Sequence, residues 1–268
     1  MHYYNERIPT NMLSKALLKQ IKSLELRKFR KESGLFIAEG GKTVTDLIKA
    51  GIVAEKVLAT PAWLDSNSLP EETGFIEVTD EEMKRASFLR TPQGILGIFR
   101  QPDNKPDFKA PCTRLCLALD NVQDPGNLGT IIRTADWYGI RHIVCSPTTA
   151  DCFAPKVVQA TMGALLRVEL TYTDLAEWLT KAQAQGLTTY ATTLDGENIH
   201  TSHLTKGGVI IMGNEGKGVS PRVQALAERK LFIPPYPADR RGSESLNVAI
   251  ATAIAMFVSW GASILYIR

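Results

Sequence analysis

The chain has 268 residues, of which 44% are hydrophobic and 22% are charged. These fractions are close to globular averages and exclude a disordered or collagen-like chain. The length is sufficient for one or two domains with a sizeable core. Because the net charge at pH 7 is only +3, bulk charge alone does not identify a partner.

The first hundred residues predict a small α/β unit. Residues 11–30 place apolar side chains at helical spacing with lysines between them, which predicts a helix with a basic face. Strands are predicted at 35–37, 57–59, 75–78 and 95–99, and helices at 43–50 and 81–88, the last capped by Asp80. The basic residues of the first helix are Lys15, Lys19, Lys22, Arg27, Lys28, Arg30 and Lys31.

A second unit follows a predicted linker. Residues 101–113 contain three prolines and alternating charges, a composition typical of linkers. Beyond them, strands at 114–119, 142–145, 167–172, 188–192, 209–212 and 231–233 alternate with helices at 128–138, 154–165, 175–185, 220–228 and 246–260. Such alternation predicts an α/β fold whose sheet is mostly parallel and has helices on both faces. The predicted domains are therefore 1–100 and 114–268.

The cysteines and the chain ends exclude several classes of protein. Four cysteines (Cys112, Cys116, Cys145 and Cys152) are too few for a disulfide scaffold and are interpreted as reduced core residues of a cytosolic protein. No metal site is predicted, because Cys112 and Cys116 would lie far apart along a strand. The first ten residues lack the apolar core of a signal peptide.

Residues 249–267 are uncharged and about as long as a membrane span. Alanine, serine, threonine and glycine dilute the segment, however, and it directly follows a polar loop. We therefore predict no membrane partner here, but a buried helix that continues into a final strand or tail.

Three loops carry the residue types of a binding site, and each follows a predicted strand. In open parallel sheets, ligands bind beyond the carboxyl ends of the strands. The first loop, 119–129, contains Gly126 and Gly129, which allow close backbone approach to a ligand. Asn127 is a natural helix cap, and Arg133 follows in the predicted helix. A phosphate or ribose there would meet N–H groups and a guanidinium together; a plain turn with an exposed arginine is the alternative.

The second loop has three glycines between positions 213 and 218, with Glu215 among them. It does not match a Walker loop, because position 218 is glycine. It also does not match the dinucleotide-binding pattern G-x-G-x-x-G, because position 221 is proline where the last glycine is required. An acid in a glycine-rich loop suits the recognition of hydroxyl or amine groups. The third loop, 242–248, lacks the second glycine of a hydrolase elbow, and its Ser245 or Asn247 is also a candidate helix cap.

Together and in this order, the loops resemble the three motifs of the SpoU (TrmH-type) family of RNA ribose 2′-O-methyltransferases in the SPOUT superfamily. The resemblance covers 114–260, and residues 28–40 and 91–94 resemble the RNA substrate-binding domain of many members. The segment 235–241 is longer than most members have. The matching residues are Asn127, Gly129, Arg133, Thr134 and Ala135 in the first motif, Gly213, Asn214, Glu215, Gly216 and Gly218 in the second, and Ile233, Pro234, Ser245, Leu246, Asn247 and Val248 in the third.

The resemblance implies S-adenosyl-L-methionine as methyl donor, a C-terminal trefoil knot, a homodimer formed through the C-terminal domain, RNA as partner and a cytoplasmic location. It leaves open whether Arg133 is a base or an electrostatic stabiliser. The basic residues of the first helix would contact RNA. The implied catalytic set is Arg133, Asn127, Glu215, Ser245 and Asn247; the implied donor-binding set is Thr193, Leu194, Gly196, Gly213, Asn214, Gly216, Ile233 and Leu246.

Ribosomal RNA is the first expected substrate, because a front RNA-binding domain is more typical of the ribosomal-RNA members; transfer RNA is the alternative. An RNA-binding protein without catalysis and a dinucleotide-dependent enzyme are further alternatives. The absent G-x-G-x-x-G pattern disfavours the dinucleotide enzyme. The methyltransferase hypothesis requires that the three loops meet at one pocket, with Arg133 close to residues 213–218 and 245–247 of its own subunit or of a neighbouring copy.

Overall fold

The computed structural model describes residues 13–70, 73–102, 114–205, 207–237 and 245–265. The chain divides into two units, one of Met1–Asp103 with Phe153–Leu166 and one of Asn104–Cys152 with Arg167–Arg268. The predicted linker, 101–113, lies almost entirely outside the described residues. The segment Phe153–Leu166 belongs to the first unit, although its sequence position lies within the second predicted domain.

The first unit contains a four-stranded sheet with the order β1-β4-β2-β3. Strand β4 is antiparallel to both β1 and β2, and β2 is parallel to β3. Apolar side chains of α1 and α5 pack in one core cluster and those of α3 in another. The elements are β1 (Leu35–Glu39), β2 (Ala54–Ala59), β3 (Ile76–Glu77), β4 (Ile95–Arg100), α1 (Lys15–Ser23), α2 (Arg27–Ser33), α3 (Gly41–Lys49), α4 (Pro61–Ser66) and α5 (Asp80–Ala86).

The long basic helix expected at the start is two short helices. Helix α1 ends at Ser23, and α2 begins at Arg27. Arg30 stabilises the turn between the two helices. Its buried guanidinium donates to the carbonyls of Leu24 (2.8 Å) and Glu25 (2.7 Å) in that turn. The expectation of one continuous helix was therefore wrong.

Helix α5 begins at Asp80, one residue earlier than predicted, and its cap is also one residue earlier. Thr79, not Asp80, is the N-cap: its hydroxyl accepts from the Glu82 N–H, and the Glu82 carboxylate accepts from the Thr79 N–H. This reciprocal pair is a capping box. Glu82 also accepts from the Leu13 N–H at 2.6 Å, and these backbone donors lower the pKa of the Glu82 carboxyl.

The second unit contains a six-stranded sheet with the order β10-β8-β9-β5-β6-β7, in which every pair is parallel. This confirms the predicted parallel sheet. Both Cys116 and its neighbour Leu117 in the central strand are buried, so both faces of the sheet are covered. The strands are β5 (Leu115–Leu119), β6 (His142–Cys145), β7 (Glu169–Tyr172), β8 (Thr189–Asn198), β9 (Gly208–Met212) and β10 (Arg229–Phe232).

Five helices follow β5 in the described part of the second half of the chain, and the one predicted at 154–165 is shorter than expected. Residues 154–165, expected as one helix, form a short helix and a 3-10 turn (Ala164–Leu166), because Met162 and Gly163 both have positive φ. Within the first unit, Val158 of this segment is buried in the same cluster as Phe36. The helices are α6 (Pro125–Trp137), α7 (Pro155–Thr161), α8 (Leu175–Gln183), α9 (Pro221–Gln224) and α10 (Val248–Leu265).

The last helix is longer than predicted. Helix α10 continues to Leu265 instead of ending at Trp260, so the expected final strand is not formed there. Within the described ranges, no helix combines the length and hydropathy needed to cross a bilayer. Residues 238–244, which precede this helix, lie outside the described residues, and the trefoil knot stays a prediction.

Cys116, Cys145 and Cys152 are buried, as predicted, while Cys112 lies outside the described residues. Over the described ranges, no group of three or more histidine, cysteine, aspartate or glutamate residues is placed to hold a metal ion.

Candidate active site

The parallel strands bring the first two loops to the same edge of the second sheet. Leu119 of β5 pairs with Met212 of β9, so both strands end at the same level. The loops that follow begin at Asp120 and Gly213, and the Asp120 N–H donates to the Met212 carbonyl at 2.8 Å. The Asp120 carboxylate also accepts from the Ser220 N–H at 2.8 Å, which fixes the far end of the glycine-rich loop.

Helix α6 begins at the first loop, and its cap differs from the prediction. Asp124 is the N-cap and accepts from the Asn127 N–H at 2.7 Å, with Pro125 in the first turn. The expectation that Asn127 caps this helix was wrong. Because Asp124 supplies the cap, the amide side chain of Asn127 is available for contacts with the other loops.

The glycine-rich loop is organised by Asn214. Its Oδ1 accepts from the N–H groups of Gly216 (3.0 Å) and Lys217 (3.1 Å). Its Nδ2 donates to the Asn121 carbonyl (2.8 Å) and to Glu215 Oε2 (3.3 Å). The Asn214 side chain therefore holds the loop and the neighbouring Glu215 carboxylate in place.

The third loop ends at Asn247, which caps the last helix. Asn247 Oδ1 accepts from the Ala249 N–H at 2.9 Å and from the Ile250 N–H at 3.3 Å. This confirms one of the two predicted caps. The Asn247 Nδ2 group points away from the helix and donates to another loop.

A chain of side-chain hydrogen bonds joins all three loops. Asn247 Nδ2 donates to Asn127 Oδ1 at 2.9 Å, and Asn127 Nδ2 donates to Glu215 Oε1 at 3.0 Å. The residues belong to three segments separated by about 90 and 120 positions in sequence. The expected convergence of the three loops is therefore present for Asn127, Glu215 and Asn247.

Two further predicted residues lie on the same segments as this chain of hydrogen bonds. Arg133 is exposed on α6, six residues after Asn127 and so about 9 Å farther along the helix. Ser245 is exposed two residues before Asn247. The structure places both on segments that carry the network.

The segment predicted to hold part of the methyl donor leaves the regular sheet. On β8, Ala191 pairs with Lys230 of β10, but the next paired residues are Glu197 and Leu231. Residues 192–196 therefore bulge out of the β8–β10 pairing. They include Thr193, Leu194 and Gly196 of the predicted donor set.

Gly196 is required where the bulge rejoins the sheet. A Cβ atom at this position would lie 2.6 Å from the backbone carbonyl carbon of Leu231, closer than real Cβ atoms approach. The Lys230 ammonium donates to Asp195 of the bulge at 2.8 Å, and this contact lowers the pKa of the Asp195 carboxyl.

The other predicted donor residues have mixed environments. Gly213 is buried, Ile233 is half-buried directly after β10, and Gly216 is exposed. Leu194 (71%) and Leu246 (48%) are among the exposed large apolar residues of the unit. Exposed leucines beside a glycine-lined backbone suit a ligand with an apolar ring.

Comparison with known proteins decides the family. Residues 114–257 match the SpoU rRNA Methylase family, and residues 15–97 match the MRM3-like substrate binding domain. The first match spans more than half of the chain. The chain belongs to the SpoU rRNA methylase family.

Relatives of this SpoU chain match along almost its whole length. RlmP of Bacillus subtilis, a 23S rRNA (guanosine(2553)-2'-O)-methyltransferase, is 30% identical over 90% of this chain and 94% of its own. A TrmH-family protein from Porphyromonas gingivalis has a similar structure, with a TM-score of 0.82, 38% identity, and coverage of 93% and 98%. An AdoMet-bound rRNA methyltransferase from Sinorhizobium meliloti gives a TM-score of 0.80 at 31% identity, covering 93% and 96%.

Sequence reasoning missed two acids that shape this SpoU site. Asp124 caps α6, and its N–H lies 3.5 Å from Glu215 Oε1; Asp120 anchors the end of the glycine-rich loop. The Asp124-Pro125 pair was a usable signal, because a capping acid followed by proline is typical of helix starts. Asp120 directly follows a buried strand, where binding sites of parallel sheets lie.

Replacing Asn127 with aspartate is expected to lower kcat of this SpoU enzyme at least about tenfold. Misalignment of the reacting groups that raises the activation free energy by about 1.4 kcal/mol gives that factor. The new carboxylate would lie where the amide now donates to Glu215, so two like charges would face each other at about 3 Å. Kinetics of methyl transfer to RNA measure the effect. Asn67→Asp, on an exposed asparagine of the first unit, is the control; equal activity of both variants would contradict the role of Asn127.

Proposed function

We propose that the chain transfers a methyl group from S-adenosylmethionine to a ribose 2′-hydroxyl of RNA, with ribosomal RNA as the substrate. The observation that carries this proposal is the hydrogen-bonded chain from Asn247 through Asn127 to Glu215. It unites the three family motifs at the carboxyl edge of a parallel sheet, where such sheets bind ligands.

The residues present fit S-adenosylmethionine as donor. The 192–196 bulge provides a turn of backbone outside the strand ladder, and Gly196 and Gly213 permit backbone contacts that a Cβ would block. Leu194 and Leu246 offer exposed apolar surface for the adenine ring. Because the Asn214 amide oxygen already accepts within its own loop and the amide nitrogen donates to the Asn121 carbonyl of the first loop, we assign Asn214 a positioning role.

When bound, S-adenosylmethionine supplies an electrophilic methyl group on a sulfonium. In the reaction, a bond forms between the ribose 2′-oxygen and the methyl carbon while the carbon–sulfur bond breaks, and the electron pair stays on sulfur. The hydroxyl proton passes to solvent or to a phosphate oxygen. Asn127 and Glu215, fixed by their mutual hydrogen bond, orient the ribose, and proper alignment of such groups lowers the barrier.

Arg133 supplies positive charge near the reacting hydroxyl in this proposal. A guanidinium carries a permanent positive charge in proteins, which suits stabilisation of negative charge on the 2′-oxygen better than proton removal. Ser245, exposed two residues before the Asn247 cap, is proposed to bind the RNA phosphate or ribose beside Arg133.

Ribosomal RNA is favoured over transfer RNA by the first unit. Its match to an MRM3-like substrate binding domain and the name of the RlmP relative both support a ribosomal substrate. Mapping of 2′-O-methyl groups in RNA from cells with and without the gene tests this. We expect one ribosomal ribose to lose its methyl group. Loss confined to a transfer RNA would support the alternative substrate, and no loss would support binding without catalysis.

The proposed RNA surface of the first unit is smaller than the sequence indicates. Lys15, Lys19, Lys22, Lys28, Lys31 and Arg27 are exposed. Arg30 is buried and is excluded from the surface. Lys22 donates to the Ser87 carbonyl at 2.7 Å and lies over the Phe88 ring, and burial lowers the pKa of its ammonium.

The double variant Lys15→Gln/Lys19→Gln is expected to weaken RNA binding and to lessen its salt dependence. Each phosphate contact contributes about 0.7 to 0.9 to the slope of log K against log salt, so losing two contacts should reduce the slope by about 1.5. Filter binding to ribosomal RNA at several salt concentrations measures it. Lys49→Gln/Lys56→Gln, also exposed in the first unit, is the control; equal slopes for the two variants would remove α1 from the RNA surface.

We also propose a cytoplasmic homodimer formed through the second unit. Ile250 (52%) and Phe257 (57%) are exposed on α10, seven residues apart and therefore on one face of the helix. Burial of this face against a second copy would remove apolar surface from water. Sedimentation velocity tests this, with a dimer expected for the wild type and a monomer for Phe257→Asp.

A further inference from the structure

The outward face of α6 carries a stripe of exposed residues. They follow one another at spacings of three or four residues, which places them on one side of the helix. Buried residues occupy the opposite side, among them Leu128, Ile131 and Ala135. The exposed residues of the stripe are Gly126, Thr130, Arg133 and Trp137.

Trp137 is the unusual member of this stripe. Its side chain is 86% exposed, whereas Trp178 in the same unit is only 2% exposed. Tryptophan dominates the energetics of cores and interfaces because of its large apolar surface. An indole left in water at the end of a helix that also carries Arg133 therefore has a face available for a ligand.

The charges around Trp137 favour RNA over an apolar protein surface. Arg133 is one helical turn away, so the two Cβ atoms lie about 5 to 6 Å apart. The adjacent acid, Asp136, is paired with Arg167 through contacts of 2.7 to 3.0 Å, so it presents no unpaired negative charge to a phosphate. An aromatic ring next to a guanidinium is the usual arrangement for stacking an unpaired base.

We propose that Trp137 is a stacking platform for an unpaired base of the RNA substrate, adjacent to the nucleotide at Arg133. This inference rests on the proposed function and makes it more specific: the substrate region must present a splayed base close to the methylated ribose. Because every base has a flat face, stacking alone would tolerate different bases at that position.

The test compares Trp137→Ala, Trp137→Phe and Thr130→Ala. The RNA is ribosomal RNA from cells that lack the gene. Filter binding is expected to show a Kd about tenfold higher for Trp137→Ala, with Trp137→Phe within about threefold of wild type because phenylalanine also stacks. Thr130→Ala, on the same stripe without a ring, should match the wild type. Methyl transfer should show the same rise in KM with kcat nearly unchanged, and calorimetry should show unchanged S-adenosylmethionine binding.

An unchanged Kd for Trp137→Ala would overturn the inference. A raised Kd that is accompanied by a changed sedimentation coefficient would also overturn it, because the indole would then be covered by a second copy of the chain. The binding measurement does not depend on catalysis. If the wild type binds RNA but transfers no methyl group, the proposed function fails while the Kd comparison still decides the role of Trp137.

Discussion

Replacing Arg133 with alanine is expected to lower kcat about 100- to 1000-fold, the usual loss when a group that stabilises transition-state charge is removed. The guanidinium is exposed on α6, about one and a half turns beyond Asn127. The residue contributes to no core cluster of the described residues, so the fold should be retained. Methyl transfer under saturating donor and RNA measures kcat, and calorimetry with S-adenosylmethionine alone should give the wild-type Kd.

The pH dependence of the residual activity separates the two roles of Arg133. If the guanidinium stabilises charge on the 2′-oxygen, the rate of Arg133→Ala should run parallel to the wild-type rate between pH 6 and about 10. If it removes the proton, the rate of the variant should rise with hydroxide concentration in a range where the wild-type rate is constant. We expect parallel profiles, because a guanidinium is protonated throughout this range.

Arg114→Ala is the matched control for this experiment. Arg114 is also exposed, but it directly precedes β5 and so lies at the amino edge of the sheet, opposite the loops. Its loss should leave kcat within about twofold of wild type. If both variants lose activity equally, the effect of Arg133 is one of general charge and not of its position on α6.

The convergence of the loops was predictable because strand direction is a strong constraint. Once the strands are parallel, the loops after β5 and β9 must lie at one edge, and Asn127 and Glu215 are then in reach of each other. The cap at Asp124 was also present in the sequence as an Asp-Pro pair. What decided between Asp124 and Asn127 was the tertiary contact of the Asn127 amide with two other loops.

The 192–196 bulge and the break after α1 could not be predicted from local patterns. The bulge exists because Gly196 lets β8 approach the backbone of Leu231, and that contact joins residues distant in sequence. The break after α1 depends on Arg30, whose charge predicts exposure but whose buried guanidinium donates to two carbonyls of the turn. In the bulge, tertiary packing overrides the local preference of the residues.

Replacing Gly213 with alanine is expected to lower the free energy of unfolding by about 3 kcal/mol or more, at the upper end of overpacking effects. A Cβ at this position would lie 2.1 Å from both the Gly218 carbonyl carbon and the Val219 nitrogen. These are backbone atoms, so no side chain can rotate to make room. The Asn214 and Gly218 N–H groups each donate to the other residue's carbonyl at 2.9 Å, which holds the two strands of the loop together.

The expected shift in Tm is a decrease of roughly 6 to 12 °C for a loss of about 3 kcal/mol in a domain of this size. Gly216→Ala is a matched control within the same loop, because the nearest atom to its added Cβ would be Asn214 Oδ1 at 3.8 Å, an ordinary contact. Thermal unfolding followed by circular dichroism compares the two. Activity should fall in Gly213→Ala as well, since the displaced loop carries Glu215 away from Asn127. Equal Tm values for the two variants would show that the loop can open at little cost, and the rigid placement of Glu215 would then lose its physical basis.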